Sequence, residues 1–468
     1  MHTRWLLVSI SVCCPIFAAC GGVARGPASP SPLESVAAAT PAAMPAGSPD
    51  EVRAKSSASE PAAGDSFEGP GAPTSLPSPV AKSPAAAAPL APLPPAATRS
   101  IAAGEWDDNA NYREFQQWLR TSDRLPFHRL DVSERRFLVV RDVDGRPVPR
   151  CPVTVLDREQ HRTTLTTAAS GRAVLFPRAE GLRGDELRAT AECGRSTATA
   201  AFALDAGDGV VDLRLPTARE LPGKRTIDVA FVLDTTGSMG EEIAAVKSTI
   251  RRVSTSLERG SLDVRIGLVA YKDRGDEYVT RVYPMTTDLA SFEREVADVS
   301  AGGGGDMPES VNEAVHVALT RLQWNPGAIG RYAFLVGDAP PHLDYAQDFD
   351  YAADVKDAAH RGIQIFTIAA SGMDGLGQVV WRQIAQYTNA RNLFVLRGGA
   401  GPQSTGAGDP QSSCGGTQMQ FTSDNLDGLI VADIHRETKA LDADPLRIAG
   451  LNKDEDAKPC AERFVAKD

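Results

Sequence analysis

Aromatic residues make up only 6% of this chain of 468 residues, and its 49 Lys and Arg are outnumbered by 60 Asp and Glu. The resulting formal charge of -11 argues against nucleic acid as a partner, because affinity for phosphate backbones rests on clustered Lys and Arg. Long apolar runs are scarce as well. Beyond Cys20 no stretch is apolar and long enough to read as a membrane span. Catalytic signatures are missing too: there is no HExxH, no GxSxG and no Cys-His pairing with local context. No Gly-Lys-Ser/Thr follows the run Gly302 to Gly305, and Gly372, Gly375 and Gly377 have the wrong spacing for a dinucleotide fingerprint. A metal-assisted hydrolase would need a base beside its ion, and Glu309 and His342 are weak candidates, so the chain is not expected to be an enzyme. The absence of any CxxC pair excludes a zinc ribbon.

What the chain does have begins with Arg4, an apolar core from Trp5 to Phe17 and small residues before Cys20, the pattern of an export signal over residues 1–20. Phe17-Ala18-Ala19-Cys20, followed by Gly21 and Gly22, resembles a bacterial lipobox, with Phe where Leu is usual. That resemblance implies that Cys20 becomes the lipidated first residue of the mature protein, with ordinary secretion as the alternative. The expected location is the cell envelope, held to a membrane by the lipid, the outer membrane if the organism is Gram-negative. Of the seven cysteines, Cys13, Cys14 and Cys20 belong to this leader, which leaves Cys151, Cys193, Cys414 and Cys460. Export favours disulfides, and four cysteines allow three connectivities. Proximity in sequence favours Cys151 with Cys193 and Cys414 with Cys460; unpaired buried thiols are the alternative.

Residues 21–104 are Pro, Ala, Ser and Gly with scattered charge, and cannot bury enough apolar surface to offset ordering. They read as a disordered tether with an r.m.s. span of roughly 50 Å. Over residues 105–135, Tyr112, Phe115, Trp118 and Leu119 recur at helical spacing and predict a short helix docked on a core. Residues 136–216 change period. Short β-branched runs separated by turn signals such as Asp144-Gly145 and Ser170-Gly171 predict a small antiparallel all-β sandwich. Its pattern resembles the transthyretin-like and carboxypeptidase-regulatory modules, a likeness that identifies no site. Arg183-Gly184-Asp185 and Arg274-Gly275-Asp276 both sit where turns call for Gly and Asp on backbone grounds, so neither is read as adhesive.

From residue 224 to 442 strands and helices alternate, which predicts an α/β domain with a doubly wound, mostly parallel sheet; residues 443–468 form a charged tail. The informative stretch is Thr226 to Gly240. Val229 to Leu233 is an unbroken apolar run, as in a strand covered on both faces, and it stops at Asp234, Thr236 and Ser238. Ligands of open α/β folds bind at the carboxyl ends of such strands. Two further loops bring acids to the same edge: Gly302 to Asp306 leading into Met307-Pro308-Glu309, and Asp338 after Tyr332 to Val336. Hydroxyls, carboxylates and water suit a hard cation with octahedral preference. His342, Asp344 and Asp348 could hold a second ion, although a solvated loop is the simpler reading.

Asp234-Thr235-Thr236-Gly237-Ser238 is similar to the DxSxS motif of von Willebrand factor type A domains, and Asp338 to the Asp after their fourth strand. The resemblance implies a Rossmann-like fold and a metal-ion-dependent adhesion site, whose divalent ion is completed by a carboxylate from a partner protein. The implied ligands here are Asp234, Thr236, Ser238, Asp338 and, in place of a Thr in adhesive members, Asp306. The implied ion is Mg2+, or Mn2+ or Ca2+. Asp306 is equally placed to cap a helix, with Glu309 three residues on. The expected function is capture of a protein or envelope polymer through the ion, with membrane contact only through the lipid and no nucleic acid. A structural or assembly component in which the ion only stabilises the fold is the alternative.

Overall fold

The structure, a computed structural model, describes residues 102–204, 207–258, 262–305, 307–370, 372–395 and 422–451. The leader and tether lie outside the described residues, as do Cys20, Asp306, Cys414 and Cys460. The first described elements are β1 (Ala102–Trp106) and α1 (Tyr112–Thr121). Then come β2 (Arg136–Arg141), β3 (Pro152–Leu156), β4 (Arg162–Thr166), β5 (Arg172–Leu175), β6 (Glu186–Cys193), β7 (Ser196–Ala203) and β8 (Val210–Arg214). The alternating part comprises β9 (Arg225–Asp234), α2 (Gly240–Glu258), β10 (Leu262–Tyr271), β11 (Thr280–Thr286), α3 (Leu289–Ala297), α4 (Val311–Arg321) and β12 (Gly330–Gly337). It continues with α5 (Tyr351–His360), β13 (Gln364–Ala369), α6 (Gly375–Tyr387), β14 (Asn392–Val395), β15 (Thr422–Asn425) and α7 (Leu426–Lys439).

The apolar run of β9 is buried on both faces, and its side chains alternate between two cores. Ile227, Val229, Phe231 and Leu233 pack with Ile243, Val246, Ile250 and Val253 of α2, while Ala230 and Val232 face the core of α4, α5 and α6. β9 runs parallel to β10 on one side and to β12 on the other. The two crossovers therefore leave β9 in opposite directions, which opens a crevice at its carboxyl end, where Asp234 sits. The sheet order is β11-β10-β9-β12-β13-β14-β1-β15. It is parallel from β10 through β14, with antiparallel pairs at β11 and β1.

Residues 102–106 are not the end of a tether ahead of a helical segment: β1 is an inner strand of the α/β sheet, paired with β14 through Ala103 and Val395 and with β15 through Ala103 and Asp424. The α/β domain is thus not confined to 224–442. Arg391 explains part of the insertion, because its guanidinium reaches Glu105 at 2.7 Å and Asp107 at 3.0 Å. The helix α1 docks by the expected face, with Tyr112 and Phe115 buried and Trp118 and Leu119 packed against the same core.

The sandwich has sheets of order β5-β2-β8 and β4-β3-β6-β7. It is antiparallel apart from β2 and β8, which pair in parallel with Leu138 opposite Val211. The first segment of the tail is also less free than its charge implied. Ile448 is buried in the core, and Arg172 donates to the carbonyls of Pro445 at 2.7 Å and Arg447 at 2.8 Å.

Cys151 and Cys193 form a disulfide, as expected. The register of β3 on β6, with Val153 opposite Ala191, places the two cysteines directly across from each other. The bridge closes a separation of 42 residues, so replacing both cysteines by Ser should lower unfolding free energy by about 2–4 kcal/mol. Urea denaturation checks this; an unchanged midpoint would show that strand pairing alone holds the sandwich.

Candidate metal site at the carboxyl edge of the sheet

Asp234 ends β9 fully buried, and its Oδ1 accepts from the Thr236 amide at 2.9 Å and the Thr236 hydroxyl at 2.7 Å. The Thr236 and Ser238 hydroxyls stand 3.3 Å apart. Thr235 points the other way, donating to the Tyr271 carbonyl at 2.8 Å. The alternation expected for this loop is therefore present: Asp234, Thr236 and Ser238 share one side. Asp234 Oδ2 is buried with no hydrogen-bond partner.

The second wall is the turn after β12, which carries Asp338, 6% exposed. Close approach of the strands depends on Gly337, since a Cβ there would stand 3.3 Å from Asp234 Oδ2 and 2.4 Å from the Tyr271 hydroxyl. The third wall is the glycine loop. Gly303 and Gly304 adopt φ of 77° and 68°, a region that favours glycine, and the loop is clamped by its backbone. The Gly237 amide donates to the Gly303 carbonyl at 2.9 Å, Lys272 Nζ donates to the Gly302 carbonyl, and Asp276 accepts from the Gly304 amide at 2.9 Å. Gly302, Gly303 and Gly304 thus each make a close backbone contact.

Asp306 lies outside the described residues. Residues 307–310 are not helical, α4 starts at Val311, and Ser310 occupies its N-cap position. Ser310 itself turns its hydroxyl to Asp273 at 2.8 Å. Glu309, read from sequence as a capping partner, instead points inward and is 2% exposed. No periodic signal marks it, because it belongs to a segment between regular elements.

Burial and mutual repulsion raise the carboxyls of this site above their ordinary range. Burial pushes Asp234 up to about 7 against its hydrogen bonds from Thr236, with Asp338 adding repulsion and Lys272 opposing it. Burial, then the negative charges of Asp234, Asp273, Asp276 and Asp338, push Glu309 up to about 8. Asp338 is raised by burial, with the Ser238 hydrogen bond opposing. A divalent cation would invert this balance. Among the described residues, no three His, Cys, Asp or Glu side chains converge closely enough to hold a metal by themselves. The donor set that fits an ion is therefore mixed, two carboxylates and two hydroxyls with water, which suits Mg2+.

The other candidates do not converge. His342 Nδ1 pairs with Asp344 at 2.7 Å and is buried rather than solvated, while Asp348 is held by Arg274 at 3.0 Å and Asn312 at 3.0 Å. Arg274 also lies over the Tyr345 ring at 4.2 Å, so Arg274 and Asp276 are both engaged internally.

A family model described as von Willebrand factor A domain matches residues 228–370, which include Asp234, the glycine loop and Asp338. The chain is 40% identical over 92 residues to von Willebrand factor A domain-containing protein 7 of Rattus norvegicus, covering 19% of this chain and 10% of that protein. It is 29% identical over 130 residues to alpha-protein kinase vwkA of Dictyostelium discoideum, covering 27% of this chain and 20% of that protein. The chain thus spans only a fifth or less of the length of these relatives. Among solved structures, the conserved hypothetical protein BatB from Bacteroides thetaiotaomicron aligns at 15% identity and a TM-score of 0.32, over 46% of this chain and 99% of that one. Sheet order, the placement of the three loops and the family match agree that residues 228–370 of this chain belong to a von Willebrand factor A domain.

Proposed function

We propose that this is an exported, lipid-anchored binding protein whose von Willebrand factor A domain captures a protein or envelope polymer through a divalent cation. The observation that carries the proposal is Asp234 Oδ2, buried and without a hydrogen-bond partner beside the Thr236 and Ser238 hydroxyls. Asp234, Thr236, Ser238 and Asp338 would hold Mg2+, with Asp306 as a further ligand, and the ion would supply a Lewis-acidic position for an oxygen of the partner. The domain's own part is binding rather than catalysis: Asp234 and Asp338 neutralise the cation, and the clamped glycine loop shapes the rim. A lipid on Cys20 would hold the chain at a membrane.

The test is retention of a partner by the immobilised folded chain from envelope extracts, with Mg2+ and with EDTA. Retention lost in EDTA and in an Asp338→Ala protein is the expected result. If EDTA lowers the melting temperature yet leaves retention intact, the ion is structural and the assembly role holds instead. The anchor is tested separately, by mass spectrometry of the mature amino terminus. A diacylated or triacylated Cys20 is expected, and an unmodified residue other than Cys20 would refute it.

A further inference from the structure

A strand at the edge of a sheet leaves half of its backbone groups open to another strand, and natural sheets obstruct such edges with charge, Pro, bulges, short length or a covering element. Most described edges here follow that rule. β11 carries Pro284, and its register on β10 shifts between Ile266 and Leu268. β8 carries Asp212 and Arg214, β5 and β15 have four residues each, and β4 lies on α5, where the Thr166 hydroxyl donates to the His360 carbonyl at 2.7 Å. β7 differs. It has eight residues with no charge and no Pro, and it pairs with β6 at every position from Ser196 to Ala203 without a bulge.

Gly194, at φ 64°, and Arg195 form a two-residue turn, so the flanking Cys193 and Ser196 are a hydrogen-bonded pair and every second residue from Ser196 spends its backbone on β6. The Leu204 amide, donating to the Asp185 carbonyl at 2.9 Å, keeps the same parity. Thr197, Thr199, Ala201 and Ala203 thus turn their amides and carbonyls away from β6, and all four residues are exposed. The Ala203 carbonyl accepts from Arg136 at 2.9 Å. For Thr197, Thr199 and Ala201 no backbone partner stands on that side among the described residues. Thr199 also ends a row of threonines on the outer face of the sheet. Register aligns Thr164, Thr154, Thr190 and Thr199 across β4, β3, β6 and β7, with hydroxyls 3.0 Å apart in the first pair and 3.2 Å in the last.

We propose that β7 pairs with β7 of a second copy of this chain, antiparallel about Thr199, to make a dimer with one continuous sheet across both sandwiches. A two-fold axis there sets Thr199 against its own copy and Thr197 against Ala201. The backbone groups of these residues point outward, so each pair exchanges both main-chain bonds. The threonine row then runs from one copy into the next, and threonine pairs across strands stabilise a sheet. Charge favours this register. On the same face Glu192 neighbours Thr197 and Arg188 neighbours Ala201, so Glu192 of one copy reaches toward Arg188 of the other across about 14 Å of sheet. Centring the pair on Thr197 or on Ala201 would instead set Glu192 against Glu192 or Arg188 against Arg188. The opposite edge of this sheet, β4, meets the α/β domain, so pairing through β7 leaves that contact in place. Such a dimer carries two von Willebrand factor A domains, and a partner with repeated sites gains from engaging both.

The test is cross-linking of the full chain. Under mild oxidation Thr199→Cys should run as a disulfide-linked dimer on non-reducing electrophoresis, because a hydrogen-bonded antiparallel pair holds its Cα atoms about 5.5 Å apart, within disulfide reach. Thr197→Cys alone should give no dimer beyond that of wild type, whereas a mixture of Thr197→Cys with Ala201→Cys should link. Sedimentation equilibrium in density-matched detergent should show twice the chain mass for wild type and a single chain mass for Ala201→Pro. Pro there removes only an amide that β6 does not use, so the circular dichroism of this variant should match wild type. Wild type at a single chain mass would overturn the proposal, as would a dimer that Ala201→Pro leaves intact, which would place the contact on another surface. Equal linking of Thr199→Cys and Thr197→Cys would overturn the register. A monomer whose Thr199 amide is protected from hydrogen exchange would overturn the dimer in favour of the chain's own tether covering the edge.

Discussion

Asp234→Asn should weaken Mg2+ binding by at least about a hundredfold, equivalent to about 2.7 kcal/mol of lost ligand stabilisation. In EDTA the same variant should melt no lower than wild type. The amide oxygen can still accept from the Thr236 amide and hydroxyl, now 2.9 and 2.7 Å from Oδ1, so the turn survives. What disappears is the buried, unpartnered oxygen and its charge. The sign of the pH dependence follows. Burial raises Asp234 to about 7 in the folded chain, above the ordinary carboxylate value near 4, so the folded state binds the extra proton between those limits. Metal-free stability therefore falls as pH rises from about 4 to about 7, and Asp234→Asn removes its share of that fall. Loss of ion binding together with unchanged or higher melting in EDTA separates a lost ligand from a lost fold. Calorimetry and thermal melts at pH 5 and pH 8 read both quantities.

Arg382→Met should destabilise the chain by about 3–5 kcal/mol, because it strands a buried carboxylate. Arg382 on α6 holds Asp108 through Nε at 2.9 Å and a terminal nitrogen at 2.5 Å, with side chains 4% and 3% exposed. Its guanidinium also lies 3.8 Å from the Trp118 ring centre and 4.6 Å from that of Trp106. Burial already raises the Asp108 carboxyl above its usual range despite Arg382. The pair therefore exists to match charges rather than to gain net energy. The double replacement Arg382→Met with Asp108→Leu should recover most of the loss, as uncoupled single effects would not. Urea denaturation of the four proteins in the cycle measures this coupling. A single-variant loss below about 1 kcal/mol, the scale of an exposed pair, would show that the site is hydrated.

β9 and the first loop are legible in the sequence for physical reasons that operate locally. A strand covered on both faces needs an uninterrupted apolar run, and Val229 to Leu233 supplies it. Alternation along the following residues is enough to align Asp234, Thr236 and Ser238. What was not legible depends on distant pairing. β1 is Ala-Ala-Gly-Glu-Trp at the end of a Pro- and Ala-rich stretch, and only β14 and β15, far along the chain, make it a strand. The parallel β2–β8 pair is hidden for the same reason. Glu309 was misplaced because acid at a three-residue offset is also the signature of a helix start, and only tertiary contacts to Pro340 and His342 turn it inward. Ile448 was overlooked because its charged surroundings outweighed one apolar side chain.

The account stands on one cation at the end of β9. Crystals of the folded chain grown in Mn2+ and measured on either side of the manganese absorption edge test this directly. A single anomalous peak among Asp234, Thr236, Ser238 and Asp338, absent from crystals of Asp234→Asn, is the expected result. Anomalous density elsewhere on the chain, or none at this edge of the sheet with Mn2+ in excess, would contradict it.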